Sequence, residues 1–536
     1  LKWFRRWKNP NESDWEAFCR QLKFPLSPQR AKGITLNVEG RRAAGLDAHF
    51  IAELDVFSQS KGRTPNVFVF NPFAEARIAH GKSFNPTKHQ AQLARDLANL
   101  PQFLCRQDDI ALVNQKPSVE FLSSIKQAGF ALPEFVELDR RAGLTERKLG
   151  RLRPWAWGPD SVELFEPIFG NLTGEQRTAS GSFNPDIAQL YSKAWSAALL
   201  RKILLRSSRS EEAHSLITHH ASRTTHQDSQ SLLTSAATEN WLCTEHEVGT
   251  AVNSLAEALA AIAAIRQRGH HKIVLKESLG LAGSNAMRLF EPEILETHRR
   301  WIANAVDNGR QLVVEPWLER VLDFSVQLEM AEDGLKLCGY TGLLNDAKGQ
   351  FQGNVALPGH QKKIPANLIA LFPEPPDIAQ RLHALYADIF ALLEEKLRRA
   401  NYLGPVGIDA FAYRDLDGKV RLKPMVEINP RYTMGRVTVE LMKHVAPGSR
   451  GLFRLISRKQ ALAEGSADFV AYARSLSERS PIHLKGEPSP RISEGAISLN
   501  DPAQAQVCLA VFQVAHAAGA VASLADLMAS SSSQRA

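Results

Sequence analysis

Between Gly404 and Arg431 the chain reads GPVGIDAFAYRDLDGKVRLKPMVEINPR, two runs alternating at period two around Asp417-Gly418. Asp-Gly supplies the turn of a tight hairpin, and the alternation on either side is that of antiparallel strands. Side chains two apart in a strand share a face. Glu427, Asn429 and Arg431 therefore point one way, while Val426, Ile428 and Pro430 point the other. Pairing about the turn can also bring Asp409 opposite Glu427.

Two adjacent carboxylates repel unless a divalent cation lies between them, and hard oxygen ligands select Mg²⁺. Asn429 would add a neutral oxygen, and Arg431 could hold a carboxylate or a transferring phosphoryl group. Taken alone, the triplet is equally compatible with a solvated strand face. A second piece is IVLKESLGLAGSNAM, where Lys276 ends an apolar strand and Gly280, Gly283 and Ser284 follow. Glycines let backbone N–H groups approach phosphate oxygens, and the lysine adds a point charge. The lysine precedes the glycines, so this is not a Walker A loop; a Gly-rich hairpin with a surface lysine is the alternative. In the third piece, LVVEPWLERVLDFSV, an apolar strand runs into Glu315, Pro316, Trp317 and Leu318 and returns through Asp323. Such a hinge can offer backbone groups and a carboxylate to an adenine edge, an apolar wall from Trp317 or Leu318, and a second acid to ribose hydroxyls. A plain strand-turn-strand would look the same.

The rest of the chain sets the context. At 536 residues it is long enough for two to four domains. From 64 to 140, strand and helix patterns alternate (PNVFVFNP, TKHQAQLARDLANL, DDIALVN, SVEFLSSIKQAGF, LPEFVEL), which predicts a parallel, doubly wound layer. RLRPWAWGPDS reads as a rigid connector. Ser208–Asn240 is polar and holds His214, His219, His220 and His226 without metal-like spacing, so it reads as a loop or flap. SLAEALAAIAAIRQRG is a helix ended by Gly269, and Val507–Ala529 reads as a packed, Ala-rich helix before a Ser-rich tail. No stretch is apolar enough to span a bilayer, and the basic, aromatic start, LKWFRRWK, lacks the apolar core of a secretory leader. Five scattered cysteines without a C-x-x-C pair argue against a disulfide framework or a zinc site and for reduced thiols in a cytoplasmic protein. A net charge of +8 is a small excess for this length, in keeping with anionic substrates.

In this order, the lysine with its Gly-rich loop, the E-x-x-L hinge and the Asp…E-x-N-x-R hairpin resemble the ATP-grasp superfamily. The matching residues are Lys276, Gly280, Gly283, Glu315 to Leu318, Asp409, Glu427, Asn429 and Arg431. The pair Asp409/Glu427 departs from the Glu/Glu of many members. The resemblance covers roughly 186–445 and implies an α/β architecture: an α+β ATP-grasp fold of two subdomains clamping ATP, preceded by a doubly wound α/β domain. Its implied boundaries are an N-terminal domain over 1–185, a small lid subdomain over 186–315, a large subdomain with the metal site over 316–445, and a C-terminal extension over 446–536. It makes Lys193, in YSKAWSAALL, the first nucleotide lysine, with Lys202 in reserve. Lys193 and Lys276 would cradle phosphates, Ser284 would lie in the phosphate loop, and Arg431 and Arg436 would stabilise the transferred group. Gly342–Asn354 would lie near the acceptor, making Asn345 and Asn354 candidates.

The activity so implied is an ADP-forming carboxylate–amine ligase, or one with a thiol or another nucleophile, using ATP and Mg²⁺ (or Mn²⁺) through an acyl phosphate. Its partners would be a small carboxylate and an amine, not a membrane or nucleic acid, and a homodimer is compatible. Rival readings are a kinase-like phosphotransferase on the same fold and a non-catalytic nucleotide- or nucleic-acid-binding protein. A biotin-dependent carboxylase is disfavoured, because no biotin-carrier segment with a central Met-Lys occurs.

Overall fold

Short apolar runs ended by Pro, Asn or Asp become the strands of the first layer: β1 (Val67–Val69), β2 (Ile110–Val113) and β3 (Glu134–Glu137). The computed structural model describes residues 63–173, 178–205, 241–280, 286–345, 350–374, 376–486 and 489–516. The basic start, the His-rich stretch Ser208–Asn240, Gly283, Ser284 and the Ser-rich tail lie outside these residues. Every element below belongs to the unit Thr64–Ala536.

The three strands pair in parallel, as the alternation predicts. The helix Lys88–Asp96 starts at Thr87 with a reciprocal cap, Thr87 Oγ1 accepting Gln90 N–H and Gln90 Oε1 accepting Thr87 N–H. The expected connector RLRPWAWGPDS is corrected: Leu152–Pro154 forms β4, parallel to β1, completing the order β3-β2-β1-β4. Pro154 falls at the strand's end, where the ladder tolerates it. Trp155 and Trp157 are both buried, so tertiary packing rather than local propensity makes this segment an element.

A second, antiparallel sheet in the order β5-β8-β6-β7 is built from β5 (Thr250–Val252), β6 (Ile273–Glu277), β7 (Ala286–Leu289) and β8 (Leu312–Pro316). Alternation divides its faces. Ile273, Leu275, Leu312 and Val314 enter a separate core with Ile262 and Ile265 of helix Leu255–Gln267 and Ile302 of helix Glu296–Asp307. Lys276, Val313 and Glu315 are left for the opposite side.

The third sheet has nine strands. Its hairpins are β9 (Glu319–Ala331) with β10 (Gly334–Asn345), and β12 (Gly404–Arg414) with β13 (Val420–Asn429). β11 (Phe351–Ala356), β14 (Ser449–Ser457), β15 (His483–Lys485), β16 (Arg491–Ser498) and β17 (Cys508–His516) complete the order β13-β12-β9-β10-β11-β14-β17-β16-β15. Here the expected helix over Val507–Ala529 is corrected: residues 508–516 are a strand between β14 and β16. A strand buried on both faces reads as a continuous apolar run, and periodicity alone does not distinguish it from a buried helix. One face of the sheet is covered by the 22-residue helix Ile378–Arg399, whose Tyr386 packs against Phe324 and Tyr340. Among the described residues no helix is long and apolar enough to cross a membrane. The four described cysteines are free.

Candidate active site

The face of the nine-stranded sheet opposite helix Ile378–Arg399 carries a polar row. Phe324, Val326 and Leu328 of β9 point into the core, so Asp323, Ser325, Gln327 and Glu329 point the other way. The β12–β13 register sets Asp409 opposite Glu427 and Gly407 opposite Asn429, while Asp409 also faces Ser325 of β9. Asn429 Nδ2 donates to Asp409 Oδ2 at 3.0 Å. That leaves the Asn429 carbonyl oxygen available beside the two acids. Burial, with Glu427 adding to it, pushes the Asp409 carboxyl up to about 6. Burial also works to raise Glu427, but Lys193, Lys276 and Arg431 together hold it below the ordinary carboxylate range. Among the described residues no group of three or more His, Cys, Asp and Glu could hold a metal. The set here is two carboxylates and an amide, and an all-oxygen donor set with one carboxyl destabilised as an anion fits a hard divalent cation.

Across from this face stand the lysines. Helix Pro185–Leu190 ends before the helix whose described part is 193–205. Ser192 Oγ accepts Trp195 N–H at 3.2 Å, and Lys193 N–H donates to Ser278 O at 2.8 Å, tying the new helix to the end of β6. Ser196 Oγ accepts Ile428 N–H at 3.1 Å, tying it to β13. Lys193 Nζ thereby reaches Glu427 Oε1 at 3.2 Å and the Gly280 carbonyl at 3.3 Å. Lys202 is exposed and takes no part.

Lys276 pairs with Glu315 Oε1, and Lys423 of β13 donates to Glu315 Oε2 at 2.9 Å. Burial alone would raise the Glu315 carboxyl, but the two ammonium groups depress it strongly. Lys193, Val248, Lys276, Glu315, Lys423 and Glu427 line one pocket, with Ala197, Leu200 and Met425 as apolar wall. Its cations suit an anion, and its position between the small and large sheets suits a clamped ligand.

Trp317, Leu318 and Asp323 are not among the residues lining it. The Trp317 N–H is taken by Lys272 O at 2.8 Å, and its ring lies under the Arg288 and Arg320 guanidinium groups at 5.1 and 5.6 Å. Leu318 is buried in the main core. Asp323 accepts from Arg320 Nη1 at 3.0 Å.

Arg431 follows β13 and forms a bridge with Ala156, next to β4. Its Nε donates to Glu75 Oε1 at 2.5 Å. Arg436 is spoken for differently: Nη1 donates to Glu329 Oε2 at 2.8 Å and Nε to Glu440 Oε1 at 3.0 Å. Arg153 holds the other Glu329 oxygen at 2.6 Å. Arg436 thus closes an ion network at one end of the polar row, and this structure does not join it to Asp409 or Glu427. Asn345 ends β10 beside an irregularity in register, and buried Asn354 donates to Gly342 O at 3.3 Å.

Sequence reasoning passed over Lys423 and Glu75. Lys423 carried a signal, since it shares its strand's parity with Glu427. Glu75 carried none, because only tertiary packing of helix Ala74–His80 brings it to Arg431.

Compared by sequence, the chain matches no family model and no curated protein. Compared as a structure, it is similar to N5-carboxyaminoimidazole ribonucleotide synthetase in its ADP complex (11% identity, TM-score 0.39, 83% of this chain and 92% of that one). It is similar to N5-carboxyaminoimidazole synthetase from Staphylococcus aureus (8%, 0.40, 88% and 97%) and to biotin carboxylase from Campylobacter jejuni (11%, 0.41, 84% and 87%). Likenesses this distant say nothing of activity. The chain's own arrangement defines its class: a small antiparallel lobe bearing Lys276, a large antiparallel lobe bearing Asp409, Glu427 and Asn429, and a parallel α/β layer before them. This is an α/β fold of three sheets.

Proposed function

We propose that the chain is an ADP-forming ligase that joins a carboxylate to an amine through an acyl phosphate, with ATP as phosphoryl donor. The observation that carries the reading is the register pair Asp409–Glu427, with Asn429 donating to Asp409 and with Lys193 and Lys276 beside Glu427. In this reading ATP lies between a lid over 186–315 and a large subdomain over 316–445, with 1–185 and 446–536 flanking them. Lys193, Lys276 and Lys423 neutralise phosphate oxygens in the pocket. Asp409, Glu427 and the Asn429 amide oxygen would hold Mg²⁺, with Mn²⁺ able to replace it. The bound cation supplies charge neutralisation of the polyphosphate. A carboxylate oxygen attacks the γ-phosphorus, ADP leaves, and the amine then displaces phosphate from the acyl carbon. Arg431 stabilises the charge on the acyl phosphate, and positioning with charge neutralisation does most of the remaining work.

Arg436, engaged by Glu329 and Glu440, acts in this reading only by steadying the helix Met434–Leu441. The free thiols and the small-molecule site suit a cytoplasmic enzyme. Screening pools of carboxylates against pools of primary amines, with ADP release as readout, tests the proposal. Release that requires both an acid and an amine supports it. Release that needs a phosphoryl acceptor alone would favour the phosphotransferase, and no turnover with any pair would remove the ligase.

A further inference from the structure

Four hydrogen bonds run in one direction across the polar row and end on Asp409. Thr433 caps the helix Met434–Leu441, its Oγ1 accepting Arg436 N–H at 3.1 Å. The same hydroxyl donates to Gln327 Oε1 at 2.7 Å, and Gln327 Nε2 donates to Ser325 Oγ at 2.8 Å. Ser325, opposite Asp409 in the β9–β12 register, closes the chain with a hydrogen bond from its hydroxyl to the Asp409 carboxylate. Ser325 and Gln327 are 2% and 1% exposed, so water is kept from the middle of the chain. Two glycines leave it room. A Cβ on Gly435 would lie 2.6 Å from Gln327 Nε2, and one on Gly407 would lie 3.0 Å from Thr433 Cγ2.

The direction is fixed at both ends, because a backbone N–H only donates and an ionised carboxylate only accepts. Each hydroxyl between them has a single proton. All four bonds therefore form only if every group donates toward Asp409 and the Gln327 amide oxygen faces Thr433. Turned over, the amide would strand the Thr433 proton and draw the Ser325 proton away from Asp409. The two acids are served differently. Glu427 has the Lys193 ammonium at 3.2 Å, whereas the side chains that donate to Asp409, Ser325 and Asn429, are neutral. We infer that Thr433, Gln327 and Ser325 are positioning residues of the cation site: they aim one O–H at Asp409, hold its carboxylate in one orientation and leave its remaining lone pairs to the metal. Groups that orient a metal ligand in this way set much of the affinity of the site. The inference rests on reading Asp409 as a ligand of the divalent cation, and it adds three residues that act only through Asp409.

The test uses the full chain with a non-hydrolysable ATP analogue and Mn²⁺, free Mn²⁺ being read by electron paramagnetic resonance. Ser325→Ala removes the last donor and should weaken Mn²⁺ binding about tenfold or more. Thr433→Val, at the far end of the chain, should weaken it severalfold, while the affinity of the analogue measured without metal stays the same. Thr433→Ser keeps the hydroxyl and should recover most of the loss. A merely structural role would lower Tm in Thr433→Val through the lost helix cap and leave Mn²⁺ affinity where it was. That result, or a Thr433→Ser as weak as Thr433→Val, would overturn the inference. Failure of the cation-site reading shows in the wild type, as Mn²⁺ held no better by protein and analogue together than by the analogue alone, and would take this inference with it; failure of the inference alone shows only in the variants.

Discussion

Around Glu427, three cations outweigh the burial that would protonate it and hold the carboxylate below the ordinary range. Glu427→Gln keeps the shape and removes the charge. Turnover of ATP should fall by about 10²-fold or more with far-UV circular dichroism unchanged, and near-normal turnover would exclude Glu427 from the site. Arg431 and Lys276 should separate by role. On the proposed reading Arg431, tied to Glu75, should lose about 10²–10³ in kcat as Arg431→Met with little change in ATP affinity. Lys276, lining the pocket proposed for the nucleotide, should lose mainly ATP affinity as Lys276→Met. Calorimetric titration with an ATP analogue distinguishes the two, and equal losses of binding would move Arg431 into the nucleotide site.

For the elements, the β12–β13 hairpin is the critical piece, because a slip of one residue would send Asp409 and Glu427 to opposite faces. Its turn depends on Gly418, at φ +79°, where a Cβ would meet nothing within 4 Å. Gly418→Ala should therefore cost only the left-handed backbone term, about 1 kcal/mol, seen as a Tm a few degrees lower with kcat unchanged. A large loss of activity would mean the register itself had moved. The hairpin was legible because its periodicity and its Asp-Gly turn are local signals. β4 and β17 were not, since a Trp/Pro-rich segment and an Ala-rich run become strands only when a neighbouring sheet edge is waiting for them.

At the scale of the whole molecule, half-buried histidines, as well as ion pairs, join separate segments. His444 packs its ring on Phe130, 4.6 Å away, linking the parallel layer to the segment after helix Met434–Leu441. His360 holds Leu357 O through Nδ1 at 3.1 Å. Burial lowers both rings from the ordinary 6.5. The neutral rings are the folded ones, so this contribution is fully present above about pH 6.5 and is lost as pH falls through the depressed values. Tm should drop between about pH 7.5 and about pH 5, and His444→Gln should lessen the drop. A Tm rising on acidification, or an unaltered slope in the variant, would contradict this.

The sequence by itself determined the hairpin, the alternation along its strands and the order of the candidate-site pieces, because strand periodicity and turn chemistry are written in adjacent residues; that Asp409 faces Glu427 needed the register shift between Asp409 and Phe411 that only the structure shows. It also marked Lys193 and Lys276. Only the tertiary structure decided that Lys423 shares Glu315 with Lys276, that Leu318 belongs to the core, that Arg436 is held by Glu329 and Glu440, and that Glu75 meets Arg431 from 356 positions away in the chain. Each of these is a pairing of buried charges or a packing choice between distant segments. Such choices depend on which surfaces exclude water together, and no local pattern records that.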